Sequence, residues 1–401
     1  MGKLLPAMSL TVALALTIVT SAIVTNCGES VPRRAGLASG DGTAPVPGAG
    51  GTGGSAGVDG AAEGTAGAGA PQPPSGCAQV ASTPRATSFR GIWISPTGQV
   101  WVAGDDGWIG HGTTAISGGG AWSFCQRTPG VALRAIWGAT DTDVWAVGDG
   151  GTVVHWDGLN WTAIADVGAP APGVLYDVWG NADAHSVWIV GNSGVARRFD
   201  GASWHVEDTE ARYVLRSVWG TATGPVRIVG SASLPPLPGE VINGEEAVAL
   251  VRNSDFWVRE AAFEHQHGAA TFLRVSGASD GDIWAVGERF DAGAAQSYAF
   301  AAHFDGTSWT ARAGLGVAGG PTDEQLGGRV YTDVVAAPPM APAGALIASP
   351  PDGTLFDGST WTTTAPTLLA IDRRGSALWA TGAPGQILHW TGTAWQLDIG
   401  P

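Results

Sequence analysis

The chain has 401 residues, of which 62 are glycine and 25 are proline, and only 14% are charged. Its formal net charge is −15, and Lys3 is the only lysine. Because nucleic-acid binding requires a basic patch that neutralises phosphates, this composition excludes nucleic acid as a partner.

The N-terminal 26 residues have the pattern of an export signal. Lys3 supplies a positive start, and an apolar stretch follows over residues 4–24, as in secretory signal peptides. The sequence Val-Thr-Asn-Cys at 24–27 resembles a bacterial lipobox, and this resemblance implies lipidation of Cys27. We therefore expect a lipoprotein signal over residues 1–26 and a lipid anchor at a membrane surface. Secretion after cleavage at Ala22, or an uncleaved anchor of about 20 apolar residues, is the alternative.

The segment that follows differs sharply in composition. Residues 27–76 are mostly Gly, Ala, Pro, Ser and Thr, which bury too little apolar surface to offset the entropy of ordering, so we expect a disordered tether. Beyond it, Cys77 and Cys125 are an even pair in an oxidising compartment, where disulfides persist. We expect either a Cys77–Cys125 disulfide or two free buried thiols.

A tryptophan phrase recurs about seven times from Phe89 onward. It is clearest in Leu-Arg-Ala-Ile-Trp-Gly at 133–138 and Asp-Val-Trp-Ala-Val-Gly at 143–148. A period of roughly 37–58 residues with four short apolar runs is typical of propeller blades. The sequence therefore predicts an all-β fold, a seven-bladed β-propeller over residues 77–401 with four antiparallel strands per blade. The blades are expected to start near Phe89, Leu133, Leu175, Leu215, Leu273, Tyr331 and Leu368.

Two further patterns concern the repeat as a whole. Residues 77–84 precede the first inner strand, and we expect them to add an outer strand that closes the ring and removes an exposed edge. The sequence Phe-Asp-Gly-Thr-Ser-Trp-Thr at 304–310 resembles the Asp-box of sialidase-type (BNR-type) propellers, although its Asp and Gly are adjacent. Over residues 85–401 the repeat is similar to domains of many bacterial surface lipoproteins. That resemblance implies the fold only, because propellers host many unrelated functions.

Four arginines share the second position of a first strand. First strands line the central channel of a propeller, so these side chains are expected to ring the channel mouth and to bind a carboxylate or phosphate. The alternative is that each arginine stacks on a neighbouring ring or pairs with an aspartate. The four are Arg90, Arg134, Arg216 and Arg274, and Tyr176 takes this position in the third blade.

Four enlarged segments, 231–247, 259–271, 288–299 and 311–329, belong to blades 4 and 5. They are second-to-third or blade-to-blade connections, which share the top face, so we expect them to crowd there as loops that build a binding surface. Acidic side chains with interleaved aromatics suit a basic protein partner, a glycan or Ca²⁺, whereas solvated loops that bind nothing are the alternative. The candidate binding face comprises Glu240, Glu245, Glu246, Glu264, His265, His267, Glu288, Arg289 and Tyr298.

The repeat carries no recognisable catalytic, metal or cofactor motif. We therefore interpret the chain as a monomeric, non-catalytic binding module of the cell envelope. It would be held at the outer membrane by its lipid and would bind an envelope protein or glycan. A secreted protein is the alternative location. Two other functions stay open: a sialidase-like or other carbohydrate-active hydrolase that uses an arginine-lined channel mouth, and a structural envelope repeat protein.

Overall fold

Twenty-nine short β-strands make up most of the chain that the structure describes. The computed structural model describes residues 78–79, 87–113, 122–168, 173–181, 185–209, 213–233, 245–263, 268–291, 294–313, 326–350, 352–364 and 366–400. The predicted export signal, the lipidation site Cys27, the tether and Cys77 lie outside these residues. In the described part, no helix is long and apolar enough to cross a membrane.

The first four blades follow one another along the chain, each with four strands. Blade 1 consists of β2 (Phe89–Ile94), β3 (Gln99–Gly104), β4 (Trp108–Thr113) and β5 (Ser123–Gln126), preceded by β1 (Ala78–Gln79). Blade 2 consists of β6 (Leu133–Thr140), β7 (Asp143–Gly148), β8 (Val153–Trp156) and β9 (Trp161–Ala163). Blade 3 consists of β10 (Leu175–Asn181), β11 (Ser186–Gly191), β12 (Ala196–Phe199) and β13 (Trp204–Glu207). Blade 4 consists of β14 (Tyr213–Trp219), β15 (Arg227–Ser233), β16 (Glu245–Asn253) and β17 (Phe256–Phe263).

Three more blades complete the ring. Blade 5 consists of β18 (Gly268–Ser279), β19 (Asp282–Asp291), β20 (Gln296–Phe304) and β21 (Trp309–Ala313). Blade 6 consists of β22 (Asp333–Ala336), β23 (Ala345–Ala348), β24 (Gly353–Phe356) and β25 (Trp361–Thr364). Blade 7 consists of β26 (Ala370–Arg374), β27 (Ala377–Thr381), β28 (Ile387–Trp390) and β29 (Trp395–Ile399).

The strands form a closed ring of antiparallel sheets. Within every blade, neighbouring strands pair in sequence order from the first to the fourth. The first strand of each blade contacts the first strand of the next, and β26 of blade 7 contacts β2 of blade 1. The fold is therefore the predicted seven-bladed β-propeller.

Tryptophan and glycine explain how neighbouring blades pack. The first-strand tryptophan of one blade lies against a glycine of the next, so that a Cβ on Gly180 would approach Cη2 of Trp137 to 2.4 Å. Trp93 lies against Gly138 and Trp219 against Gly277 in the same way. The repeating tryptophans are therefore inter-blade packing residues. Second strands are buried along nearly their whole length, as expected for strands covered on both faces.

The N-terminal strand does not close the ring as predicted. β1 pairs with β5 and adds a fifth, outermost strand to blade 1, with Gln79 opposite Cys125. Blade 7 already has four strands of its own, so closure does not require an exchanged strand. Cys125 is disulfide-bonded; its partner lies outside the described residues, and pairing with Cys77 stays a prediction.

Two other expectations need correction in blades 4 and 5. Most of the described residues in the enlarged segments belong to strands rather than loops, and β18 has 12 residues, β19 has 10 and β20 has 9. A parallel bridge between Glu245 and Ala269 joins the sheets of the two blades. Blade 5 is also shifted by one residue relative to the predicted register: Phe272, not Leu273, pairs with the second-strand glycine Gly287.

Candidate functional site

The channel at the centre of the ring is lined by the seven first strands. Below the entry of these strands, the channel contains a cavity of about 590 Å³, a volume that includes adjoining solvent. In blades 1 to 5, a β-bulge follows the first-strand residue that pairs with a glycine of the second strand. The bulge residues and the residues at the same position in blades 6 and 7 form a layer that we call the rim. The rim consists of Arg90, Arg134, Tyr176, Arg216, Leu273, Thr332 and Leu369.

The rim has a basic half and an uncharged half. Arginines on blades 1, 2 and 4 flank Tyr176 on blade 3, whereas blades 5 to 7 contribute leucine, threonine and leucine. Arg90 is exposed, and its Nε lies 2.5 Å from Oδ1 of Asp105. Arg134 pairs with Asp149. Both aspartates lie in turns between second and third strands, which places those turns beside the rim.

Arg216 is the rim arginine without a carboxylate partner among the described residues. Its guanidinium carbon lies 4.2 Å from the centre of the Tyr176 ring, and Arg134 approaches the same ring at 5.5 Å. The Nε atom of Arg216 is buried and forms no hydrogen bond within the described part of the chain. Among the described residues, the charge of Arg216 therefore has no carboxylate to neutralise it at the channel mouth.

Arg274 does not belong to this layer, contrary to the prediction. The one-residue shift of blade 5 puts Leu273 at the bulge and Arg274 one position deeper, level with Asp177 and Ser217. There Nη1 of Arg274 donates to Oδ1 of Asp177 at 2.7 Å, and Nε lies 3.2 Å from Oδ1 of Asp333. Burial alone would lower the pKa of Arg274, but the two carboxylates raise it above its ordinary value.

Inner-strand carboxylates also join one blade to the next. Asp177 of blade 3 accepts from the Val218 amide of blade 4 at 3.0 Å. Asp333 of blade 6 accepts from the Ile371 amide of blade 7, also at 3.0 Å. Asp372 of blade 7 accepts from the Ile94 amide of blade 1 at 2.6 Å, across the closure of the ring. These aspartates, which the sequence analysis did not single out, hold the walls of the channel together.

Burial changes the acidity of these channel carboxyls. It raises the pKa of Asp372 to about 7, against the opposing effect of its two backbone hydrogen bonds, and the nearby Asp333 charge raises it further. Burial likewise raises the pKa of Asp333, although Arg274 opposes the shift. Asp372 is therefore only partly ionised at neutral pH.

The predicted binding face over blades 4 and 5 is only partly described, since Glu240, Glu264, His265 and His267 lie outside the described residues. Two of its members are buried instead of facing a partner: Glu246, 1% exposed, is ion-paired with Arg259, and Arg289, 4% exposed, lies over the Tyr298 ring. Strand alternation explains this, because β16 and β19 run on as regular strands. The three half-buried members are Glu245, Glu288 and Tyr298.

The Asp–Gly sequences have a local role. Oδ1 of Asp305 accepts from the Thr307 and Ser308 amides at 2.9 Å, while Gly306 takes φ of +93°. These backbone hydrogen bonds hold the pKa of Asp305 below its ordinary value. The same turn recurs at Asp157, Asp200 and Asp357. The segment that resembles an Asp-box thus builds the turn between third and fourth strands. Among the described residues, no cluster of His, Cys, Asp or Glu is arranged to hold a metal ion.

Comparison with known proteins is informative at the level of structure. The chain is similar to a solved structure described as YCF48 bound to D1 peptide, with a TM-score of 0.52 and 14% identity over 78% of this chain and 95% of that one. It is also similar to YCF48 from Cyanidioschyzon merolae, with a TM-score of 0.51 and 15% identity over 79% of this chain and 99% of that one. Identity this low shows the fold alone. No family model and no curated protein sequence matches the chain.

Proposed function

We propose that this propeller is a non-catalytic binding module that takes an acidic segment of a protein partner at the rim of its channel. The observation that carries the proposal is the arrangement of Arg216 on Tyr176. A guanidinium that lies 4.2 Å over an aromatic ring and lacks a carboxylate partner among the described residues is suited to bidentate binding of a carboxylate. Arg90 and Arg134 are each paired with an aspartate, so Arg216 supplies the unneutralised positive charge of the rim within the described residues.

The shape of the rim favours an extended protein segment. Its basic half would bind a carboxylate, and the half formed by Leu273, Thr332 and Leu369 would contact neighbouring apolar side chains. Interfaces commonly combine a charged anchor with apolar contacts in this way. One of the similar structures is described as bound to a peptide, and this supports a peptide as the kind of partner. The acidic face over blades 4 and 5 led us to expect a basic partner. We propose an acidic partner instead, because Glu246 of that face is buried and already paired with Arg259.

The proposal places this activity at the cell envelope. A lipid on Cys27 and a flexible segment over residues 27–76 would let the ring meet other envelope proteins at some distance from the membrane. A glycan partner and a hydrolase remain outcomes of the binding experiment. The Asp–Gly turns give the hydrolase no support, since their aspartates are occupied by backbone amides of their own turns.

The test is binding of the purified chain to arrays of acidic peptides, neutral peptides and glycans. We expect capture of acidic peptides, with affinity reduced about tenfold or more in Arg216→Gln, because a charge-assisted bidentate contact is lost. Arg374→Gln is the matched control, since Arg374 is an exposed arginine at the opposite end of a first strand. Equal losses in both variants, or capture of glycans alone, would overturn the proposal.

A further inference from the structure

A second cleft opens between blades 2 and 3, on the face opposite the rim. It encloses about 630 Å³, including its mouth. Three aromatic rings line it: Trp137 from β6, Trp145 from β7 and Phe199 from β12. The ring centres of Trp145 and Phe199 lie 5.6 Å apart. The cleft thus has aromatic walls contributed by both blades.

One carboxylate lies among these rings with half of its acceptor capacity unused. Oδ1 of Asp143 accepts from Nε1 of Trp145 at 2.8 Å and lies 2.7 Å from Nε2 of His155. Oδ2 accepts no hydrogen bond within the described residues, and the Asp143 side chain is 42% exposed. Burial would raise the pKa of Asp143, but the hydrogen bonds from His155 and Trp145 outweigh it and lower the pKa. A fixed negative charge therefore faces the cleft at neutral pH.

No lysine or arginine is among the residues that line the cleft. The titratable groups beside Asp143 are the imidazoles of His155, stacked on Trp145 at 4.0 Å, and exposed His185. The cleft consequently has no cationic side chain of its own with a permanent charge to neutralise the carboxylate. Aromatic faces around an unneutralised carboxylate are the chemistry that recognises quaternary and primary ammonium groups.

Blade 2 combines three groups at this cleft: the carboxylate of Asp143, the imidazole of His155 bonded to it, and the first-strand indole of Trp137. Blade 5 repeats the carboxylate and imidazole, with Nε2 of His303 2.8 Å from Oδ1 of Asp282 and the His303 ring beside Trp284. In blade 5, however, Ser276 occupies the position of Trp137. Blade 5 is therefore a natural comparison, because it keeps the contact between Asp282 and His303 but has no counterpart of Trp137.

We infer that the cleft between blades 2 and 3 is a binding site for a small organic cation of the ammonium type. The cation lies against Trp137 and Phe199 and pairs with Oδ2 of Asp143. This site is independent of the peptide site at the rim, because it lies on the opposite face and uses none of the same residues.

The test is a calorimetric and NMR titration of the purified full chain with tetramethylammonium, choline and butylammonium. The neutral isostere of choline, 3,3-dimethylbutanol, tests whether charge is required. We expect choline to bind at least about tenfold more tightly than the isostere, since the cation–π and ion-pair contacts need the charge. Tighter binding of tetramethylammonium or choline than of butylammonium would assign a quaternary ligand, and the reverse would assign a primary amine such as a lysine side chain.

Variants locate the site. Asp143→Asn keeps an oxygen acceptor for Trp145 and His155 and should weaken binding about tenfold, whereas Asp282→Asn in blade 5 should leave it unchanged. Ala139→Arg, which places a guanidinium beside the cleft, should abolish binding in a chain that still folds. Equal affinity for the cation and its isostere, no binding of any ammonium probe, or equal effects of Asp143→Asn and Asp282→Asn would overturn the inference.

Discussion

At the scale of single residues, position relative to the bulge decides what an arginine does. Arg216 at the bulge lies on the rim and has no carboxylate partner in the part of the chain that the structure describes, whereas Arg274, one position deeper, is held between Asp177 and Asp333. A buried charge must be paired to be tolerated, so Arg274 is a structural residue. An arginine therefore supports ligand binding in the rim layer, whereas an arginine one layer deeper holds neighbouring blades together.

The acidity of Asp372 makes stability depend on pH. Its pKa is raised from 3.8 to about 7 in the folded protein, so the folded state keeps a proton that the unfolded state releases above pH 4. The free energy of unfolding should therefore fall as pH rises from about 4 to about 7. Each pKa unit corresponds to about 1.4 kcal/mol, so this carboxyl accounts for a few kcal/mol at most.

Asp372→Asn removes that titration. We expect the free energy of unfolding of the variant, relative to the natural chain, to increase between pH 4 and pH 7 and then level off. Urea denaturation at intervals across this range measures the difference. A difference that stays constant from pH 4 to pH 8 would contradict the raised pKa.

At the scale of strands, neighbouring blades are joined by side chains and not by a continuous sheet around the channel. Asp177 shows how this works: besides Arg274, it accepts from the Ser217 hydroxyl at 2.6 Å and from the Val218 amide at 3.0 Å, both on the next blade. One carboxylate thus satisfies three donors from two other first strands. Inner strands carry this function because their backbone edges face the channel instead of another strand.

Asp177→Ala should be strongly destabilising. It leaves a buried guanidinium with one carboxylate and two further donors unsatisfied, and breaking a buried pair costs about 3–5 kcal/mol. Asp105→Ala is the control, since it breaks an exposed aspartate–arginine pair at the rim, for which about 0–1 kcal/mol is expected. Chemical denaturation of both variants gives the comparison, and similar losses would show that the Asp177 network is not what joins the blades.

The repeat was predictable from sequence, whereas the channel chemistry was not. Tryptophans, second-strand glycines and Asp–Gly turns recur at a fixed spacing, because every blade packs on its neighbour in the same way, and this gave the number and order of the blades. Leu273-Arg274 imitates Leu133-Arg134, but the pairing of Phe272 with Gly287 sets the register. Asp177, Asp333 and Asp372 do not follow the repeat, because most other blades have small or apolar residues at their positions and blade 5 has Arg274 level with Asp177. Only the closed ring brings these side chains together.

At the scale of the whole molecule, blade 7 meets blade 1 through side chains and a few backbone contacts. The Gly385 amide donates to the Thr87 carbonyl at 2.7 Å, and the Thr381 hydroxyl donates to the Phe89 carbonyl at 2.9 Å. Trp122 of blade 1 lies edge-on to Trp379 of blade 7. The closure therefore depends on residues from Thr87 onward, and β1 contributes only to the outer edge of blade 1.

A chain that starts at residue 85 should accordingly keep a closed ring. We expect a single cooperative unfolding transition. The free energy of unfolding should be lowered by about 2–4 kcal/mol, because β1 and the disulfide of Cys125 are lost. Thermal denaturation followed by circular dichroism distinguishes the outcomes. Two separate transitions, or an unfolded chain, would mean that the N-terminal segment does close the ring.

The two proposed sites place different ligands on opposite faces of one ring. The rim, with Arg216 and Tyr176, would bind an acidic protein segment, and the cleft beside Asp143 would bind an organic cation. The β6 strand links the two faces, because Arg134 lies on the rim and Trp137 lines the cleft. Of the two sites, the rim carries the proposed function of the protein.

Hydrogen–deuterium exchange of the full chain with and without a captured acidic peptide tests that claim most directly. We predict slower exchange in the strand starts at Arg134, Tyr176 and Arg216 and in the turn at Asp149, with no change in the first-to-second turns on the opposite face. Protection confined to the opposite face, or to the outer strands of the blades, would contradict it.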